Sequence, residues 1–242
     1  MIVLFTDFGP AGPYTGQMES VLAQLAPDIA VIDLLSDAPA FKPKACAYLL
    51  AALVQDFPKN AVFLCIVDPG VGSERSPLIV RAGQQWFVGP HNGIFDIVIN
   101  QSNAEDAKAW TINYSPTLLS ASFHGRDLFA PVAAMIARGD PLPGNPIPIK
   151  SIHGELSSND LSQVIYIDHY GNAITGIKAN QLSPKIKIQA LNKIIIHARV
   201  FSDVETGELF WYENANGLVE IAVNKGRASD YGFKIGVSVN LS

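Results

Sequence analysis

The chain has 242 residues, of which 48% are hydrophobic and 16% charged, so it can build one large core or two smaller ones. Its formal net charge is -5 and it has no block of basic residues, which argues against a nucleic-acid partner. No apolar run reaches the roughly 18 residues that a membrane span requires, and the first residues, MIVLFTDFG, are predicted to form a strand rather than a signal peptide.

The first half of the chain alternates short apolar runs with segments of helical periodicity. The pattern predicts strands and helices in the order β-α-β-α-β, at residues 2–5, 14–25, 29–35, 45–54 and 61–67. A hairpin is predicted at 78–88, and a helix at 127–138 that ends at Gly139. This order is typical of an α/β domain with a mostly parallel sheet, which we predict for residues 1–140.

The pattern changes after that domain. Residues 141–150 contain four prolines, which cannot continue a helix or a central strand, so we predict a linker there. Over residues 151–242 the apolar residues alternate with period two between turn residues, which predicts an all-β domain, a small antiparallel barrel. Cys46 and Cys65 lack CxxC spacing and are predicted to be reduced core residues, which favours a cytoplasmic location.

Three acids lie where predicted strands of the first domain close: Asp7, Asp33 and Asp68. Ligands of open parallel sheets bind beyond the carboxyl ends of the strands, although one such acid alone is more often a turn or cap residue. Asp33 has no further support. Asp68 has further support, because the stretch FLCIVDPGVGSER continues through a glycine turn to Arg75. A loop that only turns the chain does not need both charges.

A second polar group lies at the start of the predicted helix, in SFHGRDLFAP. Asp127 in the first turn is explained by the helix dipole, and Arg126 by pairing with a nearby acid. His124 is the functional candidate, and its alternative is a single backbone hydrogen bond. A metal site that combines His124 and His91 with Asp7 and Asp68 has no supporting HxH or HExxH spacing, so no metal is predicted.

Two turns of the β domain carry polar side chains. IDHYGNAITGI contains Asp168, Tyr170 and Asn172, and ENANGLVEIAVNKG contains Asn214, Asn216 and Glu220. Turn chemistry alone explains asparagines next to glycine, so a binding role and a turn role both remain open for these residues.

Six motifs occur in order along the chain: TDFG…PYTGQM, VDPGVGSER, VGPHNGIF, FHGRDLFAPVAA, YIDHYGNAIT and GLVEIAVNKG. Together they resemble the S-adenosyl-L-methionine hydroxide adenosyltransferase family, relatives of the bacterial fluorinase and chlorinase. The resemblance covers nearly the whole chain. It implies an α/β domain followed by a β-barrel, and a homotrimer whose sites each lie between one subunit's N-terminal domain and its neighbour's C-terminal domain.

The resemblance also implies a reaction, in which S-adenosyl-L-methionine and water give adenosine and L-methionine without a cofactor. Asp68, Arg75 and His124 match the family residues that handle the water or hydroxide, and which of them is the base stays open. Asp7 matches the acid that binds the ribose hydroxyls.

Further substrate contacts are implied in the second domain. Asp168 and Asn172 match positions that bind the methionine end and the nucleoside, and Phe201 matches the aromatic residue that covers adenine. The remaining predicted binding residues are Asn216, Glu220, Val223 and Lys225, the last two through their backbones. The turn NANG departs from the serine-rich turn of the family, because Ala215 lacks a hydroxyl and Asn216 would have to replace it.

Three alternatives remain at this point. A halogenase is disfavoured, because Asp68 stands where the fluorinase has a neutral tyrosine and an anionic carboxylate repels a halide. A non-catalytic protein that binds S-adenosyl-L-methionine or adenosine is favoured only by the altered NANG turn. A metal-dependent hydrolase would lose its activity with a chelator.

Overall fold

The computed structural model describes residues 1–102, 106–152, 154 and 160–242. The chain divides into two compact units, the first comprising residues 1–50 and 56–157 and the second residues 51–55 and 158–242. The helices are α1 (Tyr14–Leu25), α2 (Pro43–Leu53), α3 (Asp96–Gln101) and α4 (Ala130–Arg138). The strands of the first unit are β1 (Ile2–Thr6), β2 (Val31–Leu35), β3 (Val62–Ile66), β4 (Pro77–Ala82), β5 (Gln85–Pro90), β6 (Lys108–Ile112) and β7 (Gly144–Ile147).

The first unit contains a mixed sheet with strand order β2-β1-β3-β5-β4-β6-β7. Strands β2, β1, β3 and β5 run parallel to one another, whereas β4, β6 and β7 pair antiparallel. The prediction of a mostly parallel sheet therefore holds for only one side of it. The reason is the tight turn at Gly83, whose φ is +58°: it reverses β4 into β5, and the strands added beyond β4 continue antiparallel.

The proline-rich segment differs from the linker that its composition predicted. Residues 144–147 form β7, the edge strand of the sheet, and pair antiparallel with β6. Pro146 lies opposite Trp110 in that pairing. An edge strand tolerates proline because it needs only one row of backbone hydrogen bonds, a possibility that the prediction did not weigh.

The core of the first unit brings the ends of β1 and β3 to one edge of the sheet. Every residue of these two strands is buried, and they pair in register from Ile2 opposite Val62 to Thr6 opposite Ile66. Helices α1 and α4 pack on this part of the sheet and against each other. The residues that follow β1 and β3 are therefore neighbours.

The second unit is a sheet that nearly closes into a barrel. Its strands are β8 (Leu161–Ile167), β9 (Ala173–Lys178), β10 (Ile188–Ala190), β11 (Lys193–His197), β12 (Leu209–Glu213), β13 (Leu218–Val223) and β14 (Asn240–Leu241), in the order β14-β10-β11-β12-β13-β9-β8. Backbone hydrogen bonds join β8 to residues 236–239, which lead directly into β14 and so connect the two edges. All pairs are antiparallel except β11 with β12, which are parallel.

Both cysteines, Cys46 and Cys65, are buried and carry free thiols, which confirms that they are core residues. Within the described ranges, no helix combines the length and the apolar character needed to cross a bilayer.

Candidate functional site

An ion pair forms where β3 ends. Arg75 returns across the glycine turn, and its Nε donates to Oδ1 of Asp68 at 2.6 Å while its Nη2 donates to Oδ2. The side chains of Arg75 and Asp68 are only 9% and 6% exposed, so this bidentate ion pair is shielded from water. Gly72 permits the turn, because its φ is +80° and a Cβ there would lie 2.9 Å from the carbonyl oxygen of Ala121.

His124 joins this pair and begins the next element. It precedes a turn of π-helix at Gly125–Phe129, and its Nδ1 lies 3.3 Å from Nη2 of Arg75. A guanidinium can only donate, so Nδ1 accepts and the ring proton lies on Nε2. Burial lowers the pKa of His124, and the charge of Arg75 lowers it further against the opposing effect of Asp68 and Asp127. The neutral imidazole therefore offers an N–H donor at Nε2.

Neighbouring side chains fix the positions of the three residues. The Arg75 guanidinium lies over the Phe129 ring, 5.5 Å from its centre. Asp127 pairs with Arg126 and accepts a hydrogen bond from the backbone N–H of Ser120 at 2.8 Å. The bond to Ser120 fixes the position of the segment before His124. Arg126 is thus paired with a nearby acid, as predicted, and that acid is Asp127.

Asp7 follows β1 at the same edge of the sheet. Its backbone N–H donates to the carbonyl of Ile66 at 3.3 Å, and its carboxylate accepts the N–H of Phe41 at 3.3 Å. Burial raises the pKa of Asp7, and the nearby charge of Asp68 raises it further. Asp33 is not part of this group, because it lies inside β2, opposite Leu4, and not at its end.

The second unit contains a pocket of about 770 Å³. All seven binding residues predicted in this part of the chain line it: Asp168, Asn172, Phe201, Asn216, Glu220, Val223 and Lys225. The other lining residues are Tyr170, Ile174, Tyr212, Asn214, Ala215, Gly226 and Arg227. Residues that are more than 50 positions apart in the sequence are therefore brought to one cavity.

One wall of the pocket is polar. Asp168 accepts the backbone N–H of Asn172 at 2.8 Å and its side-chain N–H at 3.0 Å. Glu220, only 4% exposed, accepts hydrogen bonds from the hydroxyl of Tyr212 and, at 3.0 Å, from the side-chain amide of Asn214. Oδ1 of the same Asn214 side chain accepts the backbone N–H of Asn216, within the NANG turn, and that of Leu218, the first residue of β13, so the turn is linked to Glu220.

Tyr212 is a lining residue that the sequence analysis missed, as are Ile174, Gly226 and Arg227. It lies opposite Glu220 in the antiparallel pairing of β12 and β13. The four-residue turn between these strands sets that register, so counting outward from the turn would have found the pair. Phe201 packs edge-on against the Tyr212 ring, with 5.6 Å between ring centres.

A metal alternative finds no geometric support in the part of the chain that the structure describes. Within it, no group of three or more His, Cys, Asp or Glu side chains is arranged to bind a metal ion.

Comparison with known proteins identifies the family. Residues 2–144 match the SAM hydroxide adenosyltransferase N-terminal domain, and residues 162–240 match the C-terminal domain of the same family. The chain belongs to the SAM hydroxide adenosyltransferase family. Within that family, it is 35% identical over 240 residues to an (R)-S-adenosyl-L-methionine hydrolase of Salinispora arenicola, covering 93% of this chain and 90% of the relative.

Two further comparisons agree with this membership. A Thermus thermophilus protein, also named (R)-S-adenosyl-L-methionine hydrolase, is 32% identical over 256 residues and is matched over 99% of this chain and 98% of its own. A crystal structure of a conserved Thermotoga maritima protein has a TM-score of 0.87 at 28% identity, covering 100% of this chain and 99% of that one.

Proposed function

We propose that this protein hydrolyses S-adenosyl-L-methionine to adenosine and L-methionine. The observation that carries the proposal is the shielded contact of Asp68, Arg75 and His124 at the carboxyl end of β3. The names of the relatives that match this chain over nearly their whole length support the same reaction.

The chemistry requires an oxygen nucleophile but no acid for the leaving group. A water oxygen forms a bond to C5′ of the substrate while the bond from C5′ to sulfur breaks. The electron pair of that bond goes to the sulfonium, which leaves as the neutral thioether of methionine, and the water proton is lost to a base. Because bulk water has a pKa near 15.7, the protein must polarise, orient or deprotonate it.

We assign the three residues different parts in this step. His124, neutral and with its proton on Nε2, donates a hydrogen bond that positions the attacking oxygen. Asp68 is the anionic member, so it is the group that accepts the water proton or polarises it. Arg75 holds the carboxylate by two hydrogen bonds and stabilises hydroxide-like charge.

Substrate binding is assigned to the predicted residues of both units. Asp7 would bind the ribose hydroxyls, and Phe201, with the backbones of Val223 and Lys225, would bind adenine. Asp168, Asn172, Asn216 and Glu220 would bind the remaining polar groups, since they line the same pocket. The proposed assembly is the homotrimer that the family resemblance implies, with neighbouring subunits sharing each site.

No cofactor is proposed, because a neutral thioether leaves without assistance. The cytoplasm is the proposed location, and the two free thiols are its support.

The test is chromatography of the purified protein after incubation with S-adenosyl-L-methionine, with and without chloride and with a chelator. Adenosine and methionine in equal amounts, unchanged by chloride or chelator, are the expected products. A chloride-dependent 5′-chloro-nucleoside would identify a halogenase instead, and loss of activity with chelator a metal-dependent hydrolase. Binding without any product would contradict the proposal.

A further inference from the structure

Glu220 is a buried acid of the second unit. It lines the pocket, yet only 4% of it is exposed. Its hydrogen-bond donors, the Tyr212 hydroxyl and the Asn214 amide, are both neutral. Three ion pairs are recorded among the described residues, and none of them involves Glu220. A buried carboxylate with only neutral partners is costly to ionise, so a cation entering the pocket would find it unpaired.

We propose that Glu220 recognises the α-ammonium group of the substrate, and that this ammonium group displaces the proton of Glu220 when it binds. The inference rests on the proposed function. It makes Glu220 the residue by which the site distinguishes the cationic substrate from the neutral product adenosine.

The groups that face Glu220 leave room for this exchange. From the turn after β8, Asp168 adds a second negative charge, and Asn172 adds a neutral donor. From β12 comes the neutral Tyr212, whose pKa burial and Glu220 both raise. Lys225 and Arg227 line the same pocket but form no ion pair with Glu220 in the described chain, and Arg227 donates instead to the carbonyl of His169 at 3.2 Å.

The direction of the proton movement follows from these surroundings. Burial raises the pKa of Glu220, Asp168 raises it further, and the neutral donors oppose this. A bound ammonium stabilises the ionised carboxylate and so lowers its pKa. Affinity for an ammonium ligand must therefore weaken by about tenfold for each pH unit below the pKa of the free site, and protons must be released on binding.

Glu220→Gln is the informative variant because it preserves the hydrogen bonds. The Gln oxygen can accept from Asn214, and its amide nitrogen can donate to the Tyr212 hydroxyl, which both donates and accepts. Only the ionisation is lost. Glu213→Gln is the matched control, since Glu213 is an exposed acid on the same hairpin.

The experiment measures the dissociation constants of S-adenosyl-L-homocysteine and adenosine by calorimetry between pH 5 and 8. The first ligand carries the ammonium group and adenosine does not. In the unchanged protein and in Glu213→Gln, we expect the first ligand to bind more weakly as the pH falls, with proton release on binding, and adenosine to show neither effect. In Glu220→Gln the pH dependence and the proton release should both disappear.

Two results would overturn the proposal: the same pH dependence in Glu220→Gln, or an equal dependence for adenosine. If Glu220→Gln does not fold, Tyr212→Phe replaces it. Loss of the hydroxyl removes a donor that lowers the pKa of Glu220, so the weakening must begin at a higher pH, and an unmoved onset would refute the inference. Neither readout needs turnover, so failure of the hydrolase proposal would be seen separately, in the product assay.

Discussion

The Asp68–Arg75 pair permits a test that separates folding from chemistry. Replacing Arg75 by Met keeps much of the side-chain volume but leaves the carboxylate of Asp68, only 6% exposed, without its partner. Breaking a buried pair from one side costs about 3–5 kcal/mol, because the remaining charge stays desolvated. We expect the free energy of unfolding of Arg75→Met to fall by that amount.

The double variant Asp68→Asn/Arg75→Met removes the stranded charge as well. Its stability should recover by at least half of the loss, whereas turnover should stay about 10²-fold or more below the original in both variants. Urea unfolding at a fixed protein concentration gives the stabilities, and adenosine formation gives the turnover. An exposed ion pair contributes less than about 1 kcal/mol to stability. If the free energy of unfolding of Arg75→Met falls by no more than that, the argument that burial makes this pair important is refuted.

Three further predictions concern the same cluster. Asp68→Ala and His124→Ala should each lower turnover by about 10²-fold or more, and unchanged turnover in both would remove their catalytic assignment. The pKa of His124 is lower in the folded chain than its unfolded value of 6.5, so the unfolded chain binds more protons and acidification favours it. The free energy of unfolding of His124→Gln should therefore fall less between pH 7 and pH 5 than that of the unchanged protein. Gly72→Ala should destabilise the fold by roughly 1–2 kcal/mol for its left-handed backbone, and further because the new Cβ contacts Ala121. Gly83→Ala is the control, because its backbone is also left-handed but the space around it is open. Equal losses of stability in thermal unfolding would contradict the contact with Ala121.

Elements with strong local periodicity were predictable from the sequence. Helix α1 begins and ends at the predicted residues, because its apolar spacing reports a face that must be buried whatever it packs against. The contact of Asp68 with Arg75 was also expected, because the family resemblance assigns both residues to the handling of the water or hydroxide. By contrast, β9 was not predicted, because its sequence AITGI follows a turn and lacks clear alternation.

The sequence alone determined where the strongly periodic elements lie, that Asp7 and Asp68 follow buried strands, and which family motifs the chain carries. These features depend on neighbours within a few residues, where spacing and turn chemistry act directly. Only the tertiary structure decided that half of the first sheet is antiparallel, and that burial and the charge of Arg75 lower the pKa of His124. Strand direction depends on pairing between distant segments, and the protonation of a side chain depends on burial and on charges that the fold brings near it.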